Sequence, residues 1–285
     1  MKILITGHKG FVGSHFYSRL NTPDNEIYGV DLKENDMDCR RIFSSSNVTF
    51  DLVIHCAAIV GGRENIEGNP LSIATNFSID SEFFQWCLKT KPKKVVYFSS
   101  SAVYPIAYQL EGNSWNLRED MADHHSPKKP DKTYGYSKLI GEYLSSFVDN
   151  VYVFRPFSGY GEDQDLVYPF PAYVDRAKRK ADPFEVWGSG EQTRDFIHID
   201  DIVEAVLTAI DLDIKGPINL GWGRSTSFLD LADMVCKEVG YKPNIVTRPD
   251  KPVGCKYRVS NNSKLLSFYT PKITLEEGIR RALNG

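Results

Sequence analysis

Tyr134 and Lys138 stand four residues apart in the segment DKTYGYSK, residues 131–138. On an α-helix that spacing places the phenol and the amine one turn apart on the same face. A lysine ammonium held near a phenol favours the phenolate, whose ordinary pKa is about 10, and so equips the tyrosine for acid/base work. Tyr136, two residues before the lysine, points elsewhere. The spacing selects Tyr134 as the acid/base group.

A second chemical feature lies at the start of the chain. TGHKGFVG, residues 6–13, joins a short apolar run to a helical pattern. Gly7, Gly10 and Gly13 leave room for a tight turn and for backbone to approach a pyrophosphate at a helix N-terminus. The spacing is G-x-x-G-x-x-G rather than G-x-G-x-x-G, and its place between a strand and a helix gives it weight. Asp31 ends the next strand-like run, eighteen residues beyond Gly13. A carboxylate there hydrogen-bonds a ribose 2′-hydroxyl and repels a 2′-phosphate, which favours NAD over NADP. The plainer reading is that Asp31 opens a turn. Lys9 is a cation in the same loop and would suit a phosphate.

These groups require a scaffold, and the first half of the chain alternates strand and helix patterns. KILIT, EIYGVD, DLVIHCAA, KKVVYFSSS and NVYVFRP read as strands. Residues 10–20, 76–88 and 134–147 read as helices. Alternation with continuous apolar strands predicts an α/β fold, a Rossmann-type doubly wound parallel sheet covered on both faces. After Pro156 the texture turns to FSGYGEDQDLVYPFP, rich in glycine, proline and aromatics, the start of a smaller α/β substrate-binding domain. DDIVEAVLTAI (200–210) returns to an amphipathic helix packed on the first sheet. TSFLDLADMVCKEVG is a further helix, with Ser227 as N-cap and Gly240 as stop. The domains are therefore expected to interleave: 1–155 with about 195–216 for the dinucleotide, about 156–194 with 217–285 for the substrate.

Composition narrows the partners. The chain has 285 residues, a quarter of them charged, with a net charge of −3. Neither nucleic acid nor an anionic membrane is expected as a main partner. No apolar run approaches the ~18 residues of a membrane span, and MKILITG reads as a first strand rather than a signal sequence. Cys39, Cys56, Cys87, Cys236 and Cys255 are spread without metal-ligand spacing, so neither disulfides nor zinc are indicated and a reducing cytoplasm fits. His124 and His125, beside SPKKP, read as loop residues.

The glycine loop, FSSSAVYP at a strand end and the Tyr134/Lys138 pair together resemble the extended short-chain dehydrogenase/reductase family, the NAD-dependent nucleotide-sugar epimerases and dehydratases. The resemblance covers nearly the whole chain, through TGHKGFVG, HCAAIVGG, YGYSKLIGE, RPFSGYG and RDFIHIDD in family order. It implies that Tyr134 takes a proton from a sugar hydroxyl while hydride leaves that carbon for the nicotinamide, and that Lys138 binds the nicotinamide ribose. Ser100, four residues before the tyrosine of VY, is the implied serine that hydrogen-bonds the same sugar oxygen. The cofactor positions it implies are Gly7, Gly10, Phe11, Val12, Gly13, Asp31, Ala57, Ala58, Asn76, Ser99 and Pro156, besides Tyr134 and Lys138. Ser100, Ser101, Ser158, Arg194 and Arg258 are implied for the substrate, the two arginines as clamps on its diphosphate. Where Ser158 stands, the family often has asparagine.

The branches share the oxidation and differ in the acid/base groups used afterwards. Ala102, two residues before Tyr104, occupies the position where GDP-mannose 3,5-epimerases and GDP-fucose synthases carry cysteine and decarboxylases carry glutamate. The 4,6-dehydratases have an Asp-Glu pair nearby. Alanine moves no proton. A 4-epimerase needs no such group, so a UDP-, GDP- or dTDP-sugar 4-epimerase holding NAD is the main expectation. AAIVGG and SAVYP, with Pro105, resemble the 3,5-epimerase and fucose synthase branch, which makes a 3,5-epimerase, reductase or dehydratase the alternative, with Glu162, Asp163 or Asp165 as its base. A silent dinucleotide sensor is the reading outside catalysis. Family relatives also dimerise through a bundle of two helices per subunit, here those of Tyr134 and of residues 76–88.

Overall fold

The structure is a computed structural model that describes all residues except 35, 62–68, 111, 113–114 and 126–127. Gly62 of HCAAIVGG and the Ser126–Pro127 step of SPKKP lie outside the described residues. Six apolar segments form one parallel sheet: β1 (Lys2–Thr6), β2 (Glu26–Val30), β3 (Leu52–His55), β4 (Lys94–Phe98), β5 (Val151–Pro156) and β6 (Ile218–Leu220), ordered β6-β5-β4-β3-β1-β2. Every residue of β3 and β6 is buried, as a strand covered on both faces must be.

The α-helices among the described residues are α1 (Phe11–Leu20), α2 (Cys39–Ser45), α3 (Pro70–Thr90), α4 (Lys132–Ser145), α5 (Pro169–Lys178), α6 (Ile199–Asp211), α7 (Phe228–Val239), α8 (Ser263–Leu266) and α9 (Leu275–Asn284). Phe16 and Leu20 of α1 join Ile202 and Val206 of α6 in the core on one sheet face. Phe43 of α2 and Phe83, Phe84 and Trp86 of α3 fill the other. A separate core gathers Phe170, Tyr173, Phe184, Val186, Leu231 and Ile279 from the smaller lobe.

The helix expected at 76–88 begins earlier, at Pro70. Asn69 caps it by accepting from the Ser72 N–H at 3.1 Å, and a proline in the first turn has no amide that the helix would miss. Ser227 does cap α7, in a reciprocal box with Asp230, and Gly240 ends it at φ 73°. The expected lobe boundary near 216 cuts too early. β6 is the edge strand of the central sheet, and Leu265 and Tyr269 pack into the core beneath α6. Asn116–Leu117, inside the first segment, instead pairs with Tyr257–Ser260 of the smaller lobe.

The site's location follows from the strand order. After β1 the chain builds β2 on one side, then crosses to build β3 on the other. The crevice beyond the carboxyl ends of β1 and β3 is where open α/β sheets bind ligands.

Candidate active site

The glycine loop lies at that crevice. Gly7 has φ 72°, and a Cβ there would sit 2.8 Å from the Ala57 nitrogen, so only glycine lets the β1 and β3 loops meet this closely. A Cβ at residue 13 would fall 2.2 Å from the Gly7 carbonyl oxygen, which fixes the distance between loop and helix. Gly10 caps α1 without a side-chain hydrogen bond, so the first-turn N–H groups that include Phe11, Val12 and Gly13 meet no capping side chain. Such a helix end is an anion site by construction.

Asp31 borders the loop. Its Oδ2 accepts from the Lys9 N–H at 2.9 Å and its Oδ1 from the Lys33 N–H at 2.8 Å. The carboxylate therefore does hold a turn, as the plainer reading had it, and each oxygen keeps a second lone pair for a ribose hydroxyl. Lys9 Nζ lies 3.6 Å from Glu34, whose other oxygen is 3.0 Å from His8 Nε2, so the loop's cation has a carboxylate partner.

Asn76 has a different part from the one implied. It is fully buried, its Oδ1 accepts from the Ile59 N–H at 2.7 Å and its Nδ2 donates to the Ile59 carbonyl at 2.9 Å. Both ends of the amide are committed, so Asn76 tethers the loop bearing Ala57 and Ala58 and presents no surface to a cofactor.

Ser100 and Tyr134 are brought together. β4 ends at Phe98, and Ser100 caps the short turn Ser101–Val103 by accepting from the Ala102 N–H at 3.1 Å. The Ala102 carbonyl accepts from the Asp131 N–H at 2.9 Å, and a Cβ on Gly135 would lie 2.3 Å from that same oxygen. The glycine of YGY thus lets the serine turn seat against the start of α4, where Ser100 and Tyr134 hydrogen-bond. Burial pushes the Tyr134 phenol up to about 12; Ser100 and Arg258 oppose that and Asp80 adds to it. Tyr136 is 41% exposed, on the outer side of the helix. Lys138 is buried, with its ammonium over the Tyr97 ring at 4.9 Å from the centroid.

Ser99 and Ser101 are turned away from this centre or buried. The Ser99 hydroxyl donates to Glu142 Oε1 at 2.5 Å, beside the Arg155–Glu142 pair, and its N–H donates to the Phe154 carbonyl at 2.8 Å, which leaves its own carbonyl for a cofactor. Ser101 is 3% exposed and forms the base of the turn. Pro156 closes β5 and Ser158 opens the next strand, Ser158–Tyr160, both half-buried.

Residues 3–221 match the model of the NAD dependent epimerase/dehydratase family. The chain belongs to this family. It is similar to the GDP-mannose 3,5-epimerase of Arabidopsis thaliana, 29% identical over 98% of this chain and 80% of that protein. It is similar as well to a putative UDP-glucose 4-epimerase of Methanocaldococcus jannaschii, 28% identical over 99% of this chain and 97% of the other. In fold it matches the UDP-glucose 4-epimerase structure from Thermotoga maritima, with a TM-score of 0.83, 23% identity, and coverage of 100% and 98% of the two chains. The glycine cradle, the uncapped α1 terminus and the free lone pairs of Asp31 fit the family's dinucleotide.

In a small sheet Thr193–Arg194 pairs in parallel with Tyr257–Arg258. Arg194 donates to the Thr193 and Cys255 carbonyls at 2.8 and 3.0 Å and lies over the Phe228 ring. Arg258 donates to Gln109 at 2.6 Å and to Asp131 at 2.7 Å, and its charge is felt by Tyr134. Glu162 and Asp163 face His198 at 3.4 Å and His15 at 3.0 Å, not the Ser100–Tyr134 centre.

Two residues escaped the sequence reading. Tyr168, at the N-cap of α5, is an electrostatic neighbour of Tyr134 and of Asp165, and burial pushes it up to about 12. Asp195 of RDFIHIDD is fully buried and accepts from the Trp222, Gly223 and Ser260 N–H groups at 2.8–3.1 Å, binding the small sheet to the loop after β6. An aspartate beside the implied arginine was the available signal. Among the described residues, the one set of ligand types close enough to share an ion is Asp123, His124 and His125, all exposed. No described helix is long and apolar enough to cross a membrane.

Proposed function

We propose that this member of the nucleotide-sugar epimerase and dehydratase family is a 4-epimerase of a UDP-, GDP- or dTDP-sugar, acting with NAD. When bound at the glycine loop, NAD supplies a hydride acceptor that can return the hydride. Tyr134 accepts the proton of the sugar 4-hydroxyl and gives it back after the 4-keto sugar has turned over. Ser100 holds the same oxygen. A phenol pushed up to about 12 stands protonated at neutral pH, so its work as a base depends on positive charge nearby, supplied by Arg258 and, in this proposal, by Lys138 one turn along the helix. Arg194 and Arg258 meet the diphosphate, and Asp31 the adenine ribose.

The observation that carries this reading is Ala102. It is buried, its carbonyl is taken up by the start of α4, and it offers no ionisable group where a 3,5-epimerase has cysteine. The set Ser100, Tyr134 and Lys138 suffices for a 4-epimerase. The second reading, a 3,5-epimerase or reductase, is favoured by the 29% identity to the Arabidopsis thaliana enzyme. Turnover of a panel of nucleotide sugars in D₂O with NAD, followed by NMR, separates them. A 4-epimer free of deuterium supports the proposal, whereas deuterium at C3 or C5 requires an acid/base group besides Tyr134 and sinks it.

The same reading takes the protein as a homodimer in the cytoplasm. Tyr136, Ile140, Tyr143 and Phe147 are exposed along one face of α4 and just beyond it, an apolar strip suited to a second copy.

A further inference from the structure

Beneath the crevice runs a chain of buried polar groups that the roles above leave unused. The Ala57 N–H donates to Thr6 Oγ1 at 3.3 Å, and Thr6 Oγ1 lies 2.7 Å from His55 Nδ1. His55 Nε2 faces Asp80 Oδ1 at 3.4 Å, while the Tyr97 hydroxyl donates to Asp80 Oδ2 at 2.6 Å. The Lys138 ammonium lies over the ring of that same tyrosine. Thr6, His55, Asp80, Tyr97 and Lys138 come from β1, β3, α3, β4 and α4, and none is more than 3% exposed.

The polarity of this chain is determined. Burial lowers the His55 pKa, against Asp80, so the imidazole is neutral. An ionised carboxylate only accepts, so Nε2 carries the proton, Nδ1 accepts from the Thr6 hydroxyl, and the Thr6 oxygen accepts from Ala57. Burial works to raise Asp80, but Lys138, His55 and Tyr97 outweigh it and hold the carboxyl below its ordinary value.

Charge balance then identifies the partner. The two carboxylates that act on Tyr97 are Asp80 and Glu142. Glu142 is taken bidentately by Arg155, at 2.8 and 2.6 Å. Asp80 has neutral hydrogen-bond donors in Tyr97 and His55, so the charge that balances it is Lys138. Of the other groups facing the pair, Cys56 is pushed up to about 12, chiefly by burial, and Tyr134 likewise, so both stay neutral at physiological pH. The packing is made for the Tyr97–Asp80 hydrogen bond: a Cβ on Gly141 of α4 would lie 1.8 Å from the Tyr97 hydroxyl oxygen and 2.8 Å from Asp80 Oδ2.

We propose that Asp80 is the counter-ion of Lys138 and, through Tyr97, a positioning residue that keeps the ammonium charged in a buried place. His55 and Thr6 extend the arrangement to the Ala57 loop of the dinucleotide crevice. An unpaired ammonium this deep is expected to lose its proton readily, and with it the field that readies Tyr134. The proposal deepens the reading of Lys138 as the partner of Tyr134 and rests on it.

The test is the titration of Lys138 in the full chain carrying ¹³Cε-lysine, followed by NMR, with its resonance assigned by its loss in Lys138→Arg. The wild-type ammonium is expected to stay charged at neutral pH despite its burial. Asp80→Asn, and Asp80→Thr, whose hydroxyl still meets Tyr97, are expected to lower the midpoint by about one unit or more. A wild-type amine that is uncharged at neutral pH means burial acts unopposed and overturns the proposal, even if neither variant folds. An unmoved midpoint in a folded variant overturns it too. In turnover, the variants should lose kcat most steeply at alkaline pH, and a loss by the same factor at every pH counts against a positioning role. Absence of nucleotide-sugar turnover in the wild type would refute the 4-epimerase reading and leave the titration to decide the counter-ion.

Discussion

Arg194 and Arg258 are register partners on adjacent parallel strands of the small sheet. They are held differently. Arg194 leans on backbone carbonyls and an aromatic ring, whereas Arg258 is locked to buried Asp131, directly before the helix of Tyr134. Arg194→Ala should therefore raise the KM for a nucleotide sugar by roughly tenfold or more, the loss of a charge-assisted contact, with little change in Tm. Arg258→Ala should raise KM and also lower Tm, because it removes the 2.7 Å ion pair with buried Asp131 that ties the small sheet to the start of α4. Steady-state kinetics beside thermal melts check both, and equal Tm values for the two variants would contradict this division of labour.

Tyr134→Phe removes the one hydroxyl hydrogen-bonded to Ser100 from α4. Turnover should fall by about 10²–10⁴-fold, the usual worth of a positioned acid/base group, while NAD binding measured by calorimetry persists. Tyr136→Phe, on the exposed side of the helix, should keep near-native turnover. Comparable losses in the two variants would remove the assignment.

Gly135→Ala tests the seating of the serine turn. The added methyl would collide with the Ala102 carbonyl at 2.3 Å, a backbone atom that cannot swing aside. Overpacking of this kind costs about 1–3 kcal/mol, and any relief moves Ser100 away from Tyr134. The expected result is a lower Tm together with a kcat loss larger than the Tm shift explains at the assay temperature. Native kcat would mean that the turn and helix are less tightly coupled than the geometry shows.

What the sequence disclosed was whatever depends on local pattern. The apolar strands, the glycine loop, the Tyr134–Lys138 spacing and the Ser227 cap are all short-range signals. The start of α3 was hidden because Asn69–Pro70 reads as a breaker, although proline is at home in a first helical turn. The T-x-x-E signature at Thr274–Glu277, which caps α9, was present and unused. Asn76 and Ser99 carry residue types suited to binding, and only the tertiary packing shows that their side chains are spent on the protein itself. Asp80 could not be picked out at all, since its meaning arises from four other elements that converge on it.

The exposed strip of Tyr136, Ile140, Tyr143 and Phe147 leads to a fourth expectation. If a second copy covers it, light scattering should report a dimer for the wild type. Ile140→Glu should then shift the protein toward monomer with its far-UV circular dichroism retained, since the residue is 40% exposed in the single chain. A monomeric wild type at tens of micromolar would leave the strip without this partner.

Asp80 also has a signature in acid stability, separate from turnover. Its carboxyl is held below the ordinary value in the folded protein, so folding favours the ionised form. The unfolded state then binds more protons, and this contribution is fully present above the unfolded pKa of about 4 and is lost as pH falls through the lower folded value. The Tm gap between wild type and Asp80→Asn should accordingly be constant from about pH 5 to neutrality and close as the pH falls below about 4. A gap that widens on acidification would mean the carboxyl is protonated in the folded protein, and Lys138 would then have to find its balancing charge elsewhere.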